Sequence, residues 1–547
     1  MNKKLAISPF SFARDKITFM NKKVYSLLFL VCLLASCKSG VLPLEHKSYS
    51  YLENAQKTFI KTSGEIYYRN DEVKSLNLPS IDGVNIKTGI TSYSSLNDIS
   101  LGFDENNYSS ISNDVNNPNG IIEQNLLVVP VYFTDSSVAN NDEMKQTKKV
   151  LLENAFFGDE SYTTYQSVAS YYNKSSYGHL RIKGEVLDWV SISQSSSQAY
   201  IEGKNSPENY SDKIAKMVVD GLSEETFNQY SKNKGGVLDA LYLIYDYPYQ
   251  NDKKNSEDSL FWAYTYHCKT TSKVSNYSWS SFDFVGEKAL KNHKVDATTF
   301  IHETGHLFGL LDYYNKGSLS TYQPMGFMDM MDYNLGDHSP LSKYLLNWTS
   351  PYVLNMGDKN SGKIKIKPFS ESGDFILIPR SDYNGTAYDR YLLISFFTPK
   401  GLNDLSDFPS YEYIDQEGER RIFTYPNKYG ILLYEVNAEL GYYKSSAIRS
   451  FTPTCFVGET PSSGDYVINF YYDNEINKSD EKPLYHLLES SGDNSFSKGK
   501  CASNNTLFKY GATFGVNTFI DLATEFGVTF KVSKVSVSEA EITFTKI

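Results

Sequence analysis

The sequence predicts an α+β fold in two parts, a mixed sheet flanked by helices and then a β-rich C-terminal region. Three observations carry this. Between residues 121 and 355, buried-strand patterns alternate with helical ones. From about residue 356, period-two alternation takes over between turn clusters. At 547 residues the chain is too long for one ordinary core. A hydrophobic content of 40%, with 15% aromatic residues, is that of a globular protein and not of a disordered one. The net charge of -11 argues against nucleic acid as a partner, which would require a basic face.

The first 37 residues read as processing sequence. Lys22 and Lys23 form a basic start, and Val24 to Ala35 is an apolar stretch too short to span a bilayer but suited to a signal peptide. It ends in Leu34-Ala35-Ser36-Cys37, which resembles a bacterial lipobox. Lipidation of Cys37 would leave the chain extracytoplasmic and anchored to the bacterial cell membrane or surface, held firmly only by more than one acyl chain. An ordinary signal peptide with a chance cysteine is the alternative. The opening MNKK recurs at Met20, so Met1 and Met20 are both candidate starts. Residues 38 to 120 are rich in Ser, Asn and Asp and read as a linker or a candidate pro-segment. Beyond Cys37 only Cys268, Cys455 and Cys501 remain, which permits one bridge at most. Cys455 with Cys501 is the nearer pair, and three unpaired thiols are equally open.

Order begins at Leu126 to Ser136, a continuous apolar run that reads as a buried strand. A helical stretch follows in DEMKQTKKVLLENAFFG. Next come a short helix to Tyr172, a turn at Gly178 and a strand. Ser206 and Pro207 open another helix, with Tyr210, Ile214, Met217 and Val218 on one face. VLDALYLIYDY is a further buried strand. In the β-rich half, residues 356 to 547, GKIKIKPF, DFILIPR, RYLLISFF, YGILLYEV, DYVINFYYD and the last twenty residues alternate as strands, read as a subdomain packed on the preceding part plus a terminal sandwich.

HETGHLFGLLD, from His302 to Asp312, sits oddly in this frame. The chain has eight histidines, and two of them stand one helical turn apart around a glutamate in an apolar stretch. On a helix, with Asp296 as its N-cap, His302 and His306 share a face and can grip one ion. Glu303 lies about 100° away, beside the ion without needing to bind it. Gly309 should end the helix with a positive φ, and the reversal carries Asp312 back toward the imidazoles. Two histidines and an aspartate at zinc-ligand spacing form the candidate metal site. The pattern H-E-x-x-H-x-x-G-x-x-D differs from the usual metzincin form by its final Asp. Packed core histidines are the bland alternative.

A methionine-rich turn follows in GFMDMMDY. Metzincins place such a turn under the metal, and Met331 is the candidate, with Met330 and Met328 as rivals. Tyr333 stands where some metzincins bring a tyrosine toward the metal, but it is also one of 44 tyrosines and fits ordinary packing. His338 is either a rival ligand or a surface-loop histidine.

These pieces, together with SVASYYNKSSYGHLRIKGEV, LDALYLIYDY, FWAY and KYLLNW, resemble the immune inhibitor A-like family of secreted bacterial zinc metallopeptidases. Met328 departs from the tryptophan frequent there, which leaves the shape of the pocket undefined. The resemblance implies a metzincin-like catalytic domain over residues 121 to 355. In it His302, His306 and Asp312 would bind zinc and Glu303 would serve as the base that hydrolyses peptide bonds of extracellular proteins or peptides. It also implies calcium, for which NDKKNSEDS and YYDNEINKSDEK are candidate hosts, although neither matches an ordered calcium loop. Two other readings stay open: an inactive surface-binding adhesin lipoprotein, and a glycoprotein-directed peptidase whose C-terminal part binds glycan.

Overall fold

The computed structural model describes residues 60–61, 66–69, 122–231, 236–247, 260–286, 289, 294–319, 321–346, 348–349, 351–381, 383, 389–406, 411–414, 420–438, 440–443, 466–469, 474, 476 and 482–547. The expected signal peptide, Cys37, Cys455 and its expected pairing with Cys501, the stretch NDKKNSEDS and most of YYDNEINKSDEK lie outside the described residues. The protein is a mixed α+β chain with mixed sheets. It forms two compact units, one within residues 97–311 and the other made of residues 312–547 with the N-terminal stretch, and the chain passes between them from Leu311 to Asp312.

The N-terminal stretch supplies two short strands, β1 (Ile60–Lys61) and β2 (Tyr67–Arg69). Within this polar segment, Tyr67–Arg69 is thus paired in a sheet. Ile66 is 3% exposed in the core of the β-rich unit, and the strand after it is paired there. Isolated apolar residues in a polar stretch carry too little periodic signal to reveal a strand.

The unit within 97–311 is built on β3 (Ile122–Tyr132), β4 (Leu180–Val186), β5 (Val190–Ser191), β6 (Leu241–Tyr245), β7 (Tyr264–His267) and β8 (Asn276–Ser281). The order is β4-β3-β6-β8-β7, with β5 also beside β3. Every pairing is parallel except β7 with β8, so β7 is an antiparallel edge. Parallel strands need crossovers, and helices supply them: α1 (Asp142–Phe157), α2 (Val168–Ser175), α3 (Ser196–Gly203), α4 (Pro207–Gly221) and α5 (Glu224–Gln229). Covered on both faces, β6 is buried at all five positions, which is why it reads as a continuous apolar run.

One face packs Leu127, Val129, Leu243 and Trp279 against Ala199, Tyr210, Ile214 and Val218 of α3 and α4. Met217, expected on that same helical face, is 40% exposed. It follows Ile214 by three residues at the margin of the stripe, and the neighbouring Val218 takes the buried place. On the opposite face, Phe156 of α1 packs edge-on to Tyr242 of β6. The same ring stacks on Phe300 of α6 (Thr298–Leu307), the helix that carries the histidines.

The unit beginning at Asp312 carries the short helices α7 (Met330–Tyr333), α8 (Pro340–Leu345), α9 (Phe369–Ser372) and α10 (Ile520–Phe526). Its strands are β9 (Tyr352–Leu354), β10 (Ser361–Ile366), β11 (Phe375–Pro379), β12 (Arg390–Phe397), β13 (Tyr411–Ile414), β14 (Arg420–Phe423), β15 (Gly430–Asn437), β16 (Leu440–Tyr443), β17 (Tyr466–Asn469), β18 (Tyr485–Leu488), β19 (Thr513–Phe514), β20 (Val528–Val535) and β21 (Ala540–Lys546). One sheet runs β1-β2-β9-β11-β12-β15-β18 and another β10-β21-β20-β19. Ile364, Val532, Ile542 and Phe544 of the second share a core with Ile376, Leu392, Ile394 and Leu433 of the first. These two sheets form a sandwich whose inner faces exclude water. Among the described residues, no helix is long and apolar enough to cross a membrane.

Candidate metal centre

Helix α6 begins at Thr298, preceded at its cap position by Ala297. Asp296, expected at the cap itself, acts one residue earlier: its Oδ1 accepts the Thr298 backbone N–H at 2.9 Å and the Thr298 hydroxyl at 2.8 Å. It still satisfies one of the open N–H groups of the first turn. The Tyr172 hydroxyl donates to Ile301 O at 2.8 Å, and Phe300, Ile301 and Leu307 have no exposed surface. The back of the helix is thereby fixed, so its other side chains are presented from a rigid support.

The helix ends after Leu307. Gly309 has φ 87°, the left-handed conformation expected of it. The Gly309 N–H donates to His306 O at 2.9 Å and the Leu310 N–H to Gly305 O at 3.1 Å. These are the paired bonds of a Schellman ending, which reverses the chain and brings Asp312 round.

His302, His306 and Asp312 each offer a ligand atom, and the three atoms lie within 4.8 Å of one another. They form a group that can hold a metal ion. The two imidazole centroids are 4.9 Å apart, with the rings nearly perpendicular at 81°. His302 is 3% exposed and Asp312 6%. His306 Nδ1 sits 2.7 Å from Leu310 O. A carbonyl oxygen can only accept, so Nδ1 carries the proton and Nε2 keeps its lone pair for a ligand bond. The turn that ends the helix thus also sets the tautomer of a candidate ligand. Lys316 forms an ion pair with Asp312 Oδ2.

Glu303 is buried, and its surroundings come from the sheet. Thr265 Oγ1, on edge strand β7, lies 3.0 Å from Glu303 Oε2 and 3.0 Å from Glu303 O. One hydroxyl has one proton, so Thr265 serves one of the two at a time. Ser278 on β8 supplies a second donor, 2.7 Å from Thr265 Oγ1 and 3.4 Å from Glu303 O. Burial, with the Glu303 charge adding to it, pushes the Tyr242 hydroxyl well above its ordinary range and keeps it neutral. Sequence spacing pointed to Glu303 but gave no hint of Thr265, Ser278 or Tyr242, which adjacency in the sheet brings to it.

In the unit that begins at Asp312, Met331, Met330 and Met328 are all buried. Met331 O accepts the Tyr313 N–H at 2.9 Å, so the methionine turn is hydrogen-bonded to the residue after Asp312. Asp329 shapes the turn: its Oδ1 accepts the Met331 N–H and its Oδ2 the Ser339 N–H, both at 2.7 Å. The Tyr333 ring stacks on Phe327 with centroids 4.1 Å apart and meets Phe423 edge-on. His338 is not a surface-loop residue. It is 1% exposed, with Nδ1 3.7 Å from Asp329 Oδ1, and it is not a member of the His302–His306–Asp312 group. Its ring also lies against Trp348, with centroids 6.0 Å apart.

Site and fold together define a mixed α+β protein with one His-His-Asp group, among the described residues, able to hold a metal. No family model matches the chain. No match to it is found among curated proteins either.

Proposed function

We propose that the chain is a zinc-dependent endopeptidase of the metzincin-like kind, acting on extracellular proteins or peptides and akin to the immune inhibitor A-like enzymes. The observation that carries this reading is the convergence of two helix-borne imidazoles and the Asp312 carboxylate, with the buried Glu303 carboxylate one residue from the first imidazole. The donor set fits zinc, which takes imidazole and carboxylate ligands and, in catalytic sites, three from the protein with a fourth position open.

His302, His306 and Asp312 would hold the ion. When bound, zinc supplies a Lewis acid that polarises a scissile carbonyl and makes water more acidic. Glu303 takes the proton of the attacking water and passes it to the departing amine. Thr265, donating to Oε2, fixes the orientation of that carboxylate. Leu310 O fixes the His306 ring. Tyr333 is the proposed donor to the developing oxyanion. Cys37 is the proposed lipid anchor, which would place the reaction outside the cytoplasm.

The test is Glu303→Gln in the full chain. It should retain one equivalent of zinc by metal analysis and lose casein cleavage in a zymogram. Undiminished cleavage would refute the assignment of the base. A wild-type chain whose zymogram is blank with zinc present would favour the surface-binding reading instead.

A further inference from the structure

The segment that follows Asp312 is fastened by the methionine turn and by the β-rich region of its own unit. Both backbone groups of Tyr313 are taken: its N–H by Met331 O at 2.9 Å and its C=O by Asn474 Nδ2 at 2.6 Å. Asn474, 1% exposed, is itself locked, because its Oδ1 accepts the Tyr485 N–H and its Nδ2 also reaches Tyr485 O, both at 2.9 Å. Two residues along, Asn315 Oδ1 accepts the Ile476 N–H at 2.9 Å and the Gly317 N–H at 2.7 Å. The Leu319 N–H then donates to Ile476 O at 3.1 Å. At Gly317 the two segments approach so closely that an added Cβ would overlap the Ile476 backbone. Lys316, inside this pinned loop, pairs with the Asp312 carboxylate.

We propose that Asn474 is a positioning residue for the metal centre, a clamp through which the β-rich region sets the place of the third ligand. The inference rests on the zinc reading given above. An aspartate five residues beyond a helix end has no intrinsic reason to stay beside two imidazoles. The Schellman turn delivers it, and the Tyr313 bonds stop the chain from swinging away. Asn474 can do this because an amide carries both donor and acceptor, so one side chain joins strand β18 to the ligand loop.

The experiment uses the full chain and zinc itself, with affinity measured by competition against a chromophoric chelator. Asn474→Ala should raise the zinc Kd about 10- to 100-fold, the usual cost of removing a partner that orients a ligand. Ile542→Ala, which opens a cavity in the sandwich and touches neither loop nor clamp, should leave the Kd of the folded protein unchanged. An Asn474→Ala chain that is folded by near-ultraviolet circular dichroism and binds zinc as tightly as wild type overturns the proposal alone. A wild-type chain that takes up no zinc overturns the metal reading and the clamp with it. Should the variant not fold, hydrogen exchange on wild type decides. Coupling is reciprocal, so zinc must slow exchange of the Tyr485 and Ile476 amides, which the clamp holds. Unchanged rates at both sites overturn the proposal.

Discussion

Thr265 is where a single hydroxyl meets the proposed chemistry. It stands 3.0 Å from Glu303 Oε2, on a buried carboxylate that has left water behind. Removing one donor from such a group costs about 1–3 kcal/mol and frees its rotamer. Thr265→Val keeps the shape and should lower kcat about tenfold or more with zinc content unchanged. Steady-state kinetics beside metal analysis checks both halves. Asp312→Ala, by contrast, should lose the metal itself, and full occupancy by metal analysis would point to another third ligand. The difference between these residues is also the difference in how visible they are. His302, Glu303 and His306 are readable because a helix turns sequence spacing into spatial adjacency. Gly309 is readable because few residues other than glycine accept its φ of 87°. Thr265 and Asn474 come from strands and loops far along the chain, and nothing local marks a threonine or asparagine as a partner of the site. His338 misleads in the opposite sense, since a histidine among polar letters gives no sign of being buried.

Among the elements, the end of α6 does two jobs with one turn, reversing the chain and fixing the His306 tautomer. Gly309→Ala would place a Cβ in the left-handed region at a cost of about 1 kcal/mol. The expected result is a small fall in Tm together with a larger loss of zinc affinity than that fall explains. Equal effects on both would show that the turn contributes only to folding. In the sandwich, β18 carries a different liability. His486 accepts no proton easily, because burial holds it down to about 4, against the opposing pull of Glu435. The Tyr322 hydroxyl lies 3.1 Å from its Nε2. The folded value is below the unfolded one, so its contribution to stability is full above pH 6.5 and is lost as pH falls toward 4. The loss reaches about 3 kcal/mol at most, less for a side chain that keeps some contact with water. Denaturant titrations at pH 7 and pH 4.5 should show this fall, and His486→Gln should flatten it.

At the scale of the whole chain, the strand and helix patterns of both halves were legible because burial on one or both faces writes periodicity into the letters. The cooperation between distant segments was not. The methionine turn, β9 and the clamp residues Asn474 and Ile476 belong to one compact unit. A chain ending at residue 355 keeps every proposed zinc ligand but loses the clamp and β11, one of the two strands that pair with β9. Its expected behaviour is failure to bind zinc, measured by metal analysis of whatever soluble protein is recovered. Zinc should in turn stabilise the intact chain, by about 4 kcal/mol when free zinc exceeds the Kd a thousandfold. Chelation should then lower Tm by a few degrees.

The pairing of β2 with β9, Tyr67 opposite Leu354 and Arg69 opposite Tyr352, makes this short stretch of the early polar segment a piece of the sandwich. Proteolytic trimming past residue 69 would peel a rung from that ladder, leaving the backbone of β9 open on one side and emptying the socket that Ile66 fills. A maturation cut placed upstream of residue 60 would spare the ladder. The position of a processing site in the early chain therefore decides whether the trimmed protein keeps a sealed sheet or gains an adhesive margin.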